Sequence, residues 1–258
     1  MTSNVITKEK FKNKGKSVLL FSGGMDSLIF DKLLNPDILL YIPSGSKYKE
    51  IESKKIKELC SKGIIDENKL VILDGVLDLG RFERDDMIVP QRNAFLIMLA
   101  AMYGETIYLA SISGDRSSDK CPEFFEKMEI LLNQMWEAQH WTEERTFKIL
   151  DPYKNTTKSQ LVKMYIEKGY NPNDILESYS CYEGEETPCG ICKPCVRKYI
   201  ALENNNIEIP EGYFKNNPLD AEWIYQVLPQ MEVMQYRGLE DMDFLRVLKK
   251  KGKNIVNG

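Results

Sequence analysis

The stretch SVLLFSGGMDSLIFDKLL, residues 17–34, decides the fold. Residues 17–21 form a short apolar run of the kind that makes a buried strand. The turn Ser22-Gly-Gly-Met-Asp-Ser27 follows, and the apolar residues after it have helical spacing. Gly23 and Gly24 permit positive φ and a close approach of phosphate. The N–H groups of a helix's first turn lack backbone partners and favour an anion, so this stretch predicts a strand, a phosphate-binding loop and a helix.

Strand-like and helix-like segments alternate along the following residues. Further strands are predicted at 37–41, 69–73, 106–110 and 146–150. Helices are predicted at 48–62, from Pro90 to Gly104, at 121–139 and at 158–168. In the third of these helices we expect a buried stripe of Phe124, Met128, Leu131, Leu132 and Met135. This alternation predicts an α/β fold with a doubly wound, five-stranded parallel sheet, whose ligands bind at the carboxyl ends of the strands.

Three regions follow from these patterns. Residues 1–178 are predicted to form the nucleotide-binding α/β domain. Residues 179–203 are predicted to form a cysteine-rich knuckle with the helix that follows it. We call residues 204–258 the C-terminal segment, in which 221–228 and 242–250 have the pattern of short amphipathic helices.

Composition narrows the class of function. The 258 residues carry 35 Lys and Arg against 39 Asp and Glu, a net charge of −4, so no basic field favours nucleic acid over a small-molecule substrate. No apolar run of about 18 residues indicates a membrane span. The first residues lack the apolar core of a signal peptide, so a cytoplasmic protein is expected. The only histidine, His140, is expected at the surface, which leaves little material for histidine chemistry.

Four of the six cysteines fall within fifteen residues, at Cys181, Cys189, Cys192 and Cys195. Two C-x-x-C spacings share Cys192. In a reducing compartment, clustered cysteines indicate metal binding rather than disulfides. Four thiolates make a closed tetrahedral site typical of structural zinc. A [4Fe–4S] cluster also takes four cysteines and stays open as the alternative, although such short spacing favours zinc.

The loop at 22–27 is not a Walker A motif, since G-x-x-x-x-G-K-[ST] is absent. It resembles the PP-loop of the N-type ATP pyrophosphatases, which have an adenine nucleotide alpha hydrolase-like fold. Together with the cysteine knuckle it resembles the 7-cyano-7-deazaguanine synthase family, over about residues 17–202. Other segments that match the family in order are Val89-Pro-Gln-Arg-Asn93, Asp119-Lys-Cys-Pro-Glu-Phe124, Asp151-Pro152, Thr157-Lys158 and Ser180-Cys-Tyr182.

The resemblance implies an ATP-dependent ligase that adenylates 7-carboxy-7-deazaguanine and combines it with ammonia, giving an amide and then the nitrile. It implies that ATP and magnesium are held by Ser22, Gly23, Gly24, Met25, Asp26 and Ser27. The resemblance also places Arg92 and Asn93 facing the nucleotide or the activated carboxylate. Lys158 is expected to contact departing pyrophosphate, and Asp119 to contact the deazaguanine or a metal. The catalytic set implied by the resemblance is therefore Asp26, Ser27, Arg92, Asp119 and Lys158.

The substrate-facing segments depart from the family. Residues 44–48 read SGSKY where the family has Tyr-Gly-Gln-Arg-His, and Ser117 and Ser118 replace its Tyr-Pro. These departures leave open an amide product, a changed acid, or an amine carried by a protein partner. A homodimer also stays open.

Two other functions compete with this interpretation. A tRNA sulfur transferase would need a reactive cysteine pair, for which only Cys60 and Cys121 are left once four cysteines bind zinc. A zinc-knuckle binding module on an inactive nucleotide fold would be expected to have a damaged phosphate loop, and the loop at 22–27 is intact.

Overall fold

The computed structural model describes residues 13–45, 48–86, 88–115, 117–140 and 143–253. Ser46 and Lys47 of the departing segment 44–48, Trp141 and the first twelve residues lie outside the described residues.

Five short strands form one parallel sheet in the order β3-β2-β1-β4-β5. They are β1 (Ser17–Leu20), β2 (Ile38–Tyr41), β3 (Leu70–Ile72), β4 (Thr106–Tyr108) and β5 (Lys148–Leu150). Val18 of β1 is in register with Ile38 on one side and with Ile107 on the other. The predicted five-stranded parallel sheet is therefore confirmed, with β1 at its centre.

Helices cover both faces of this sheet. The helices are α1 (Met25–Leu34), α2 (Lys49–Ser61), α3 (Arg92–Ala100), α4 (Pro122–Met135), α5 (Lys158–Glu167), α6 (Asn173–Glu177), α7 (Lys193–Asn204), α8 (Glu222–Glu232) and α9 (Leu239–Lys250). Leu19 packs into an apolar cluster with residues of α1, α2 and α5, whereas its neighbour Val18 packs into a second cluster with α3 and α4. Successive strand residues point to opposite faces, so the sheet is doubly wound as predicted.

Two predicted helices have different boundaries. The helix α3 begins at Arg92 rather than at Pro90, because Gln91 adopts a left-handed conformation with φ of 61° that cannot continue a helix. The helix α4 ends at Met135 rather than near 139. Its buried face is formed by Phe125, Met128 and Leu132, whereas Leu131 and Met135 are each 44% exposed. The predicted stripe was therefore wrong at these last two residues, which lie beside the i, i+3, i+7 face.

The C-terminal segment shares an apolar cluster with α7. Val196 and Ile200 of α7 pack with Ile224 of α8 and with Phe244 and Val247 of α9. Both predicted amphipathic helices of the segment form, and α9 begins three residues earlier than the pattern indicated. None of the helices in the described ranges combines the length and apolar character that a bilayer span requires.

Candidate active site

The glycine loop leaves the central strand at the point where the sheet changes direction. The chain runs from β1 to β2 and β3 on one side, and β4 and β5 lie on the other, which is where doubly wound sheets bind ligands. Gly23 has φ of 69°, and a Cβ there would lie 2.7 Å from Cγ1 of Ile56. Gly24 precedes the first turn of α1 and can offer no side-chain cap. The loop therefore presents to the carboxyl edge of the sheet a helix N-terminus that has no side-chain cap from its own N-cap residue.

The two loop serines differ in accessibility. Ser22 is exposed, whereas Ser27 is buried. The Ser27 hydroxyl donates to the Gly24 carbonyl at 3.0 Å and accepts from the Ser22 backbone N–H at 3.3 Å. Ser27 thus braces the turn from beneath. The Met25 side chain lies in the apolar core, so only its backbone can face a ligand.

Asp26 and Lys158 form an ion pair beside the loop. The Lys158 Nζ donates to both carboxylate oxygens of Asp26, at 2.5 and 2.6 Å. Lys158 is the first residue of α5, and its side chain is only 9% exposed. Thr157 caps α5 in a capping box with Gln160, which fixes the backbone that carries Lys158. The structure therefore brings together two site residues that are 132 positions apart.

Asp119 lies against the start of α3, the helix that carries Arg92 and Asn93. The Asn93 amide donates to the Asp119 backbone carbonyl at 3.3 Å, while the Asp119 carboxylate accepts from the Ser117 hydroxyl. The charge of Arg92 acts on Glu52 of α2. Burial raises the pKa of Glu52 to about 7, against the opposing effects of a hydrogen bond from Tyr41 and of the Arg92 charge.

The structure contains a buried network of charged side chains next to Lys158, which the sequence patterns do not predict. Arg197 of α7 donates to both carboxylate oxygens of Glu240, each at 2.7 Å, and to Asp115 at 3.2 Å. Burial opposes ionisation of Asp115, but the charges of Lys120, Arg197 and Lys158 outweigh it and hold its pKa well below the usual range. Asp115 follows the carboxyl end of β4, a general signal for site residues.

The four knuckle cysteines converge on one point. Their Sγ atoms all lie within 4.8 Å of one another. Backbone N–H groups donate to two of these sulfurs, from Cys189 to Cys181 at 3.3 Å and from Cys192 to Cys189 at 3.4 Å. Such N–H···S contacts suit thiolates. A single tetrahedral zinc ion, with Zn–S bonds of about 2.3 Å, fits this spacing, and a multi-iron cluster would hold the sulfurs farther apart.

The knuckle is tied directly to the glycine loop. The Tyr179 N–H donates to the Gly23 carbonyl at 3.0 Å, and the Met25 N–H donates to the Ser180 hydroxyl at 3.5 Å. The Tyr179 hydroxyl in turn donates to the Glu185 carbonyl within the knuckle. The segment leading into the cysteine knuckle thus forms one wall of the glycine loop.

The remaining cysteines do not resemble a sulfur-transfer pair. Cys60 lies on α2 and packs against the sheet's apolar cluster, and burial raises the pKa of its thiol. Cys121 precedes the first turn of α4, and its thiol donates to the Ser118 carbonyl at 3.2 Å. A half-buried thiol with a raised pKa, such as that of Cys60, is a poor nucleophile, which disfavours sulfur transfer.

The α/β sheet is doubly wound, a glycine-rich loop lies at its switch point, and a four-cysteine centre lies beside that loop. These three features together define a narrow class of protein. The model of the family described as "Queuosine biosynthesis protein QueC" matches residues 16–206. The chain therefore belongs to this family, whose curated relatives are 7-cyano-7-deazaguanine synthases.

Relatives from several bacteria match over nearly their full length. The 7-cyano-7-deazaguanine synthase of Psychromonas ingrahamii is 30% identical over 227 residues, covering 77% of this chain and 97% of its own. The 7-cyano-7-deazaguanine synthase 1 of Colwellia psychrerythraea is 30% identical over 224 residues, covering 77% and 98%. The synthase of a Porphyromonas gingivalis strain is 28% identical over 221 residues, covering 76% and 96%.

Proposed function

We propose that this protein uses ATP to activate 7-carboxy-7-deazaguanine and combines the activated acid with ammonia, giving 7-cyano-7-deazaguanine. The observation that carries the proposal is the Asp26–Lys158 pair at the mouth of the glycine loop. Phosphoryl chemistry of this kind needs positioned donors and charge neutralisation rather than a strong general base. The site supplies both in a chain with a single histidine.

In this proposal the loop amides of residues 22–27 hold the ATP phosphates. Each oxygen of the Asp26 carboxylate has lone pairs beyond those that Lys158 occupies, so Asp26 would contact the magnesium ion that accompanies ATP. That ion would neutralise phosphate charge. Lys158 lies where a cation would stabilise pyrophosphate as it departs. Ser27 holds the turn in shape, and the exposed Ser22 hydroxyl adds a donor.

The reaction balances in two activation steps. A substrate carboxylate oxygen bonds to the α-phosphorus of ATP, the bond to the bridging oxygen breaks, and pyrophosphate leaves. Ammonia then attacks the acyl carbon, and AMP leaves with the former carboxylate oxygen, which gives the amide. A second ATP activates the amide oxygen in the same way. AMP leaves with that oxygen and the nitrogen loses two protons, which gives the nitrile.

The deazaguanine would bind beside α3, on the side of the loop where Arg92, Asn93 and Asp119 lie. Arg92 would neutralise the substrate carboxylate. Glu52, a half-buried carboxyl group near Arg92, would lie on the same side. The four cysteines would hold zinc, which would fix the knuckle that braces the loop without taking part in the reaction.

The test is to incubate the zinc-loaded protein with 7-carboxy-7-deazaguanine, ATP, magnesium and ammonia, and to analyse the products by mass spectrometry. Nitrile with AMP and pyrophosphate is the expected result. Lys158→Met should abolish it. Lys163→Met, on the same helix but 68% exposed, is the matched control and should retain it. Products of ADP and phosphate would contradict adenylation, and absence of any product would contradict the deazaguanine substrate.

A changed amine is the second candidate, and one contact favours it. Tyr48 stands where the family sequence has histidine, and its ring stacks on Tyr182 of the knuckle with centroids 5.9 Å apart. This stack replaces a titratable imidazole by a phenol ring packed against the knuckle. If adenylate or amide accumulates with ammonia, primary amines and lysine-containing peptides should be offered as acceptors. Conjugates would identify a ligase, and nitrile at a useful rate would exclude one.

A further inference from the structure

We propose that helix α9 of the C-terminal segment is part of the activation site, with Glu240 and Asp243 as positioning residues for Arg197 and Lys158. The inference rests on the proposed function and adds residues that the family match does not reach. That match ends at residue 206, whereas α9 spans Leu239–Lys250.

The first contact is between Glu240 and Arg197. Glu240 is 1% exposed, and its carboxylate receives two hydrogen bonds from the Arg197 guanidinium, each of 2.7 Å. Paired bonds of this kind fix both distance and orientation. A Cβ at Gly114 would collide with the same carboxylate. Glu240 therefore fills the space that a glycine leaves open in the loop after β4.

Arg197 links Glu240 to the loop that follows the carboxyl end of β4. It donates to Asp115, which is also bound by Lys120 at 3.2 Å. The Lys154 ammonium donates to the Asp115 carbonyl, and the Arg237 guanidinium of the C-terminal segment donates to the Gly114 carbonyl at 2.6 Å. The loop after β4 is thus held from both sides by charged groups.

The second contact reaches Thr157, the residue before Lys158. The Thr157 hydroxyl donates to the Asp243 carboxylate at 2.6 Å, in a buried setting. Thr157 is the cap of α5, and Lys158 is the first residue of that helix. The turn of α5 that aims Lys158 at Asp26 is therefore anchored to α9. Because Lys158 is aimed through Thr157, the segment controls a group that acts on departing pyrophosphate.

The charges around Glu240 support a role for this residue in catalysis as well as in the stability of the fold. Burial opposes ionisation of Glu240, and the charges of Arg197 and then Lys158 outweigh it and lower its pKa. Without the Glu240 charge, Arg197 would be drawn towards Asp115 and Asp26, whose carboxylate holds Lys158. Removing one charge on α9 would thus disturb the ion pair at the phosphate loop.

The experiment compares Glu240→Gln and Asp243→Ala with the wild-type full chain. We expect kcat for pyrophosphate release to fall at least about tenfold in each, with KM for ATP changed less than about threefold, because the lost contacts act on the transition state more than on ground-state ATP binding.

The matched control is Asp241→Asn. Asp241 is fully buried on the same helix, but its carboxylate accepts only from the backbone N–H groups of Tyr236 and Arg237 among the bonds assigned to it. This variant should lower the melting temperature and leave kcat of the folded protein within about threefold of wild type. An equal loss of kcat in Asp241→Asn, or wild-type kcat in Glu240→Gln, would overturn the inference.

A second readout does not depend on turnover. Labelling of lysines with an amine-reactive ester, followed by peptide mass spectrometry, reports how well Lys158 is held against Asp26. We expect Lys158 labelling to rise about fivefold in Glu240→Gln and Asp243→Ala relative to the exposed Lys163, and to stay unchanged in Asp241→Asn. Equal labelling of Lys158 in wild type and in all three variants would contradict the inference, even if no substrate is turned over. Failure of wild type to release pyrophosphate would count against the proposed function instead.

Discussion

The Lys158 ammonium lies 2.5 Å from Oδ1 and 2.6 Å from Oδ2 of Asp26, so one ion pair joins the first turn of α5 to the first turn of α1. Both helices start at the carboxyl edge of the sheet. The pair therefore fixes the distance between the glycine loop and the cation nearest to it.

Removing one partner of this pair should be costly. Lys158→Met leaves the Asp26 carboxylate without its cation, and we expect the free energy of unfolding to fall by about 2–4 kcal/mol, since Asp26 is 21% exposed and partly hydrated. Urea unfolding measures this change. The double variant Asp26→Asn with Lys158→Met should be less destabilised than Lys158→Met alone. Strictly additive effects would show that the two residues are not coupled.

The cysteine centre should carry about one zinc ion per chain, because four sulfurs within 4.8 Å make a closed site. Cys192→Ser should lose the metal and lower the melting temperature by roughly 10 °C or more, since structural zinc contributes directly to folding. Elemental analysis and thermal unfolding measure the two effects. Cys60→Ser, outside the cluster, is the control and should keep its zinc. Iron in the purified protein would instead indicate a cluster.

Zinc removal should also weaken ATP binding. The Tyr179 N–H holds the Gly23 carbonyl at 3.0 Å, so a loosened knuckle releases one wall of the phosphate loop. We expect the Kd for ATP to rise roughly tenfold after chelation, as found when supporting contacts of a binding site are lost. Calorimetric titration of the chelated and the zinc-restored protein provides the comparison. An unchanged Kd would mean that the loop holds its shape without the metal.

Glu52 predicts a pH dependence of stability. Burial raises the pKa of this carboxyl to about 7 from its ordinary value of 4.5. Between these values the unfolded chain binds fewer protons than the folded one, so stability falls as pH rises from 4.5 through 7. The cost above pH 7 is at most about 3.5 kcal/mol, by the free energy of each pKa unit.

Glu52→Gln should remove the loss of stability that ionisation of Glu52 causes as pH rises. Its melting temperature should exceed that of wild type at pH 8 and approach it at pH 5, because the neutral amide has no proton to lose. Glu50→Gln, on the same helix but 86% exposed, should follow the wild-type curve. Parallel curves for Glu52→Gln and wild type would show that Glu52 ionises normally.

The strands and most helices could be predicted because they depend on local patterns. A parallel strand buried on both faces is an apolar run wherever it occurs, and the turn at 22–27 combines that run with glycine and serine. The start of α3 was misplaced because Pro90 suits a helix N-terminus, while the left-handed Gln91 next to it has no clear sequence signal. This error and the misplaced end of α4 both lie at element boundaries.

The network around Arg197 could not be predicted for a different reason. Glu240, Asp241 and Asp243 are acidic residues on an amphipathic helix, which a sequence pattern assigns to the solvated face. Asp241 is held by the nearby backbone N–H groups of Tyr236 and Arg237. Glu240 and Asp243 are buried because their partners come from elements far away in the chain: Arg197 from α7 and Thr157 from the cap of α5. Pairing across such distances leaves no local periodicity.

The contact between Thr157 and Asp243 spans 86 positions, and this separation has a consequence for biosynthesis. A ribosome makes the glycine loop, Asp26 and Lys158 well before it makes α9. Long-range contacts form only when both partners are available, and N-terminal regions of a chain fold first. A nascent chain shorter than 243 residues therefore has its nucleotide loop without the anchor that aims Lys158. Under the proposed function, such an intermediate would bind ATP without consuming it, so that expenditure of nucleotide would begin only after α9 has left the ribosome and docked.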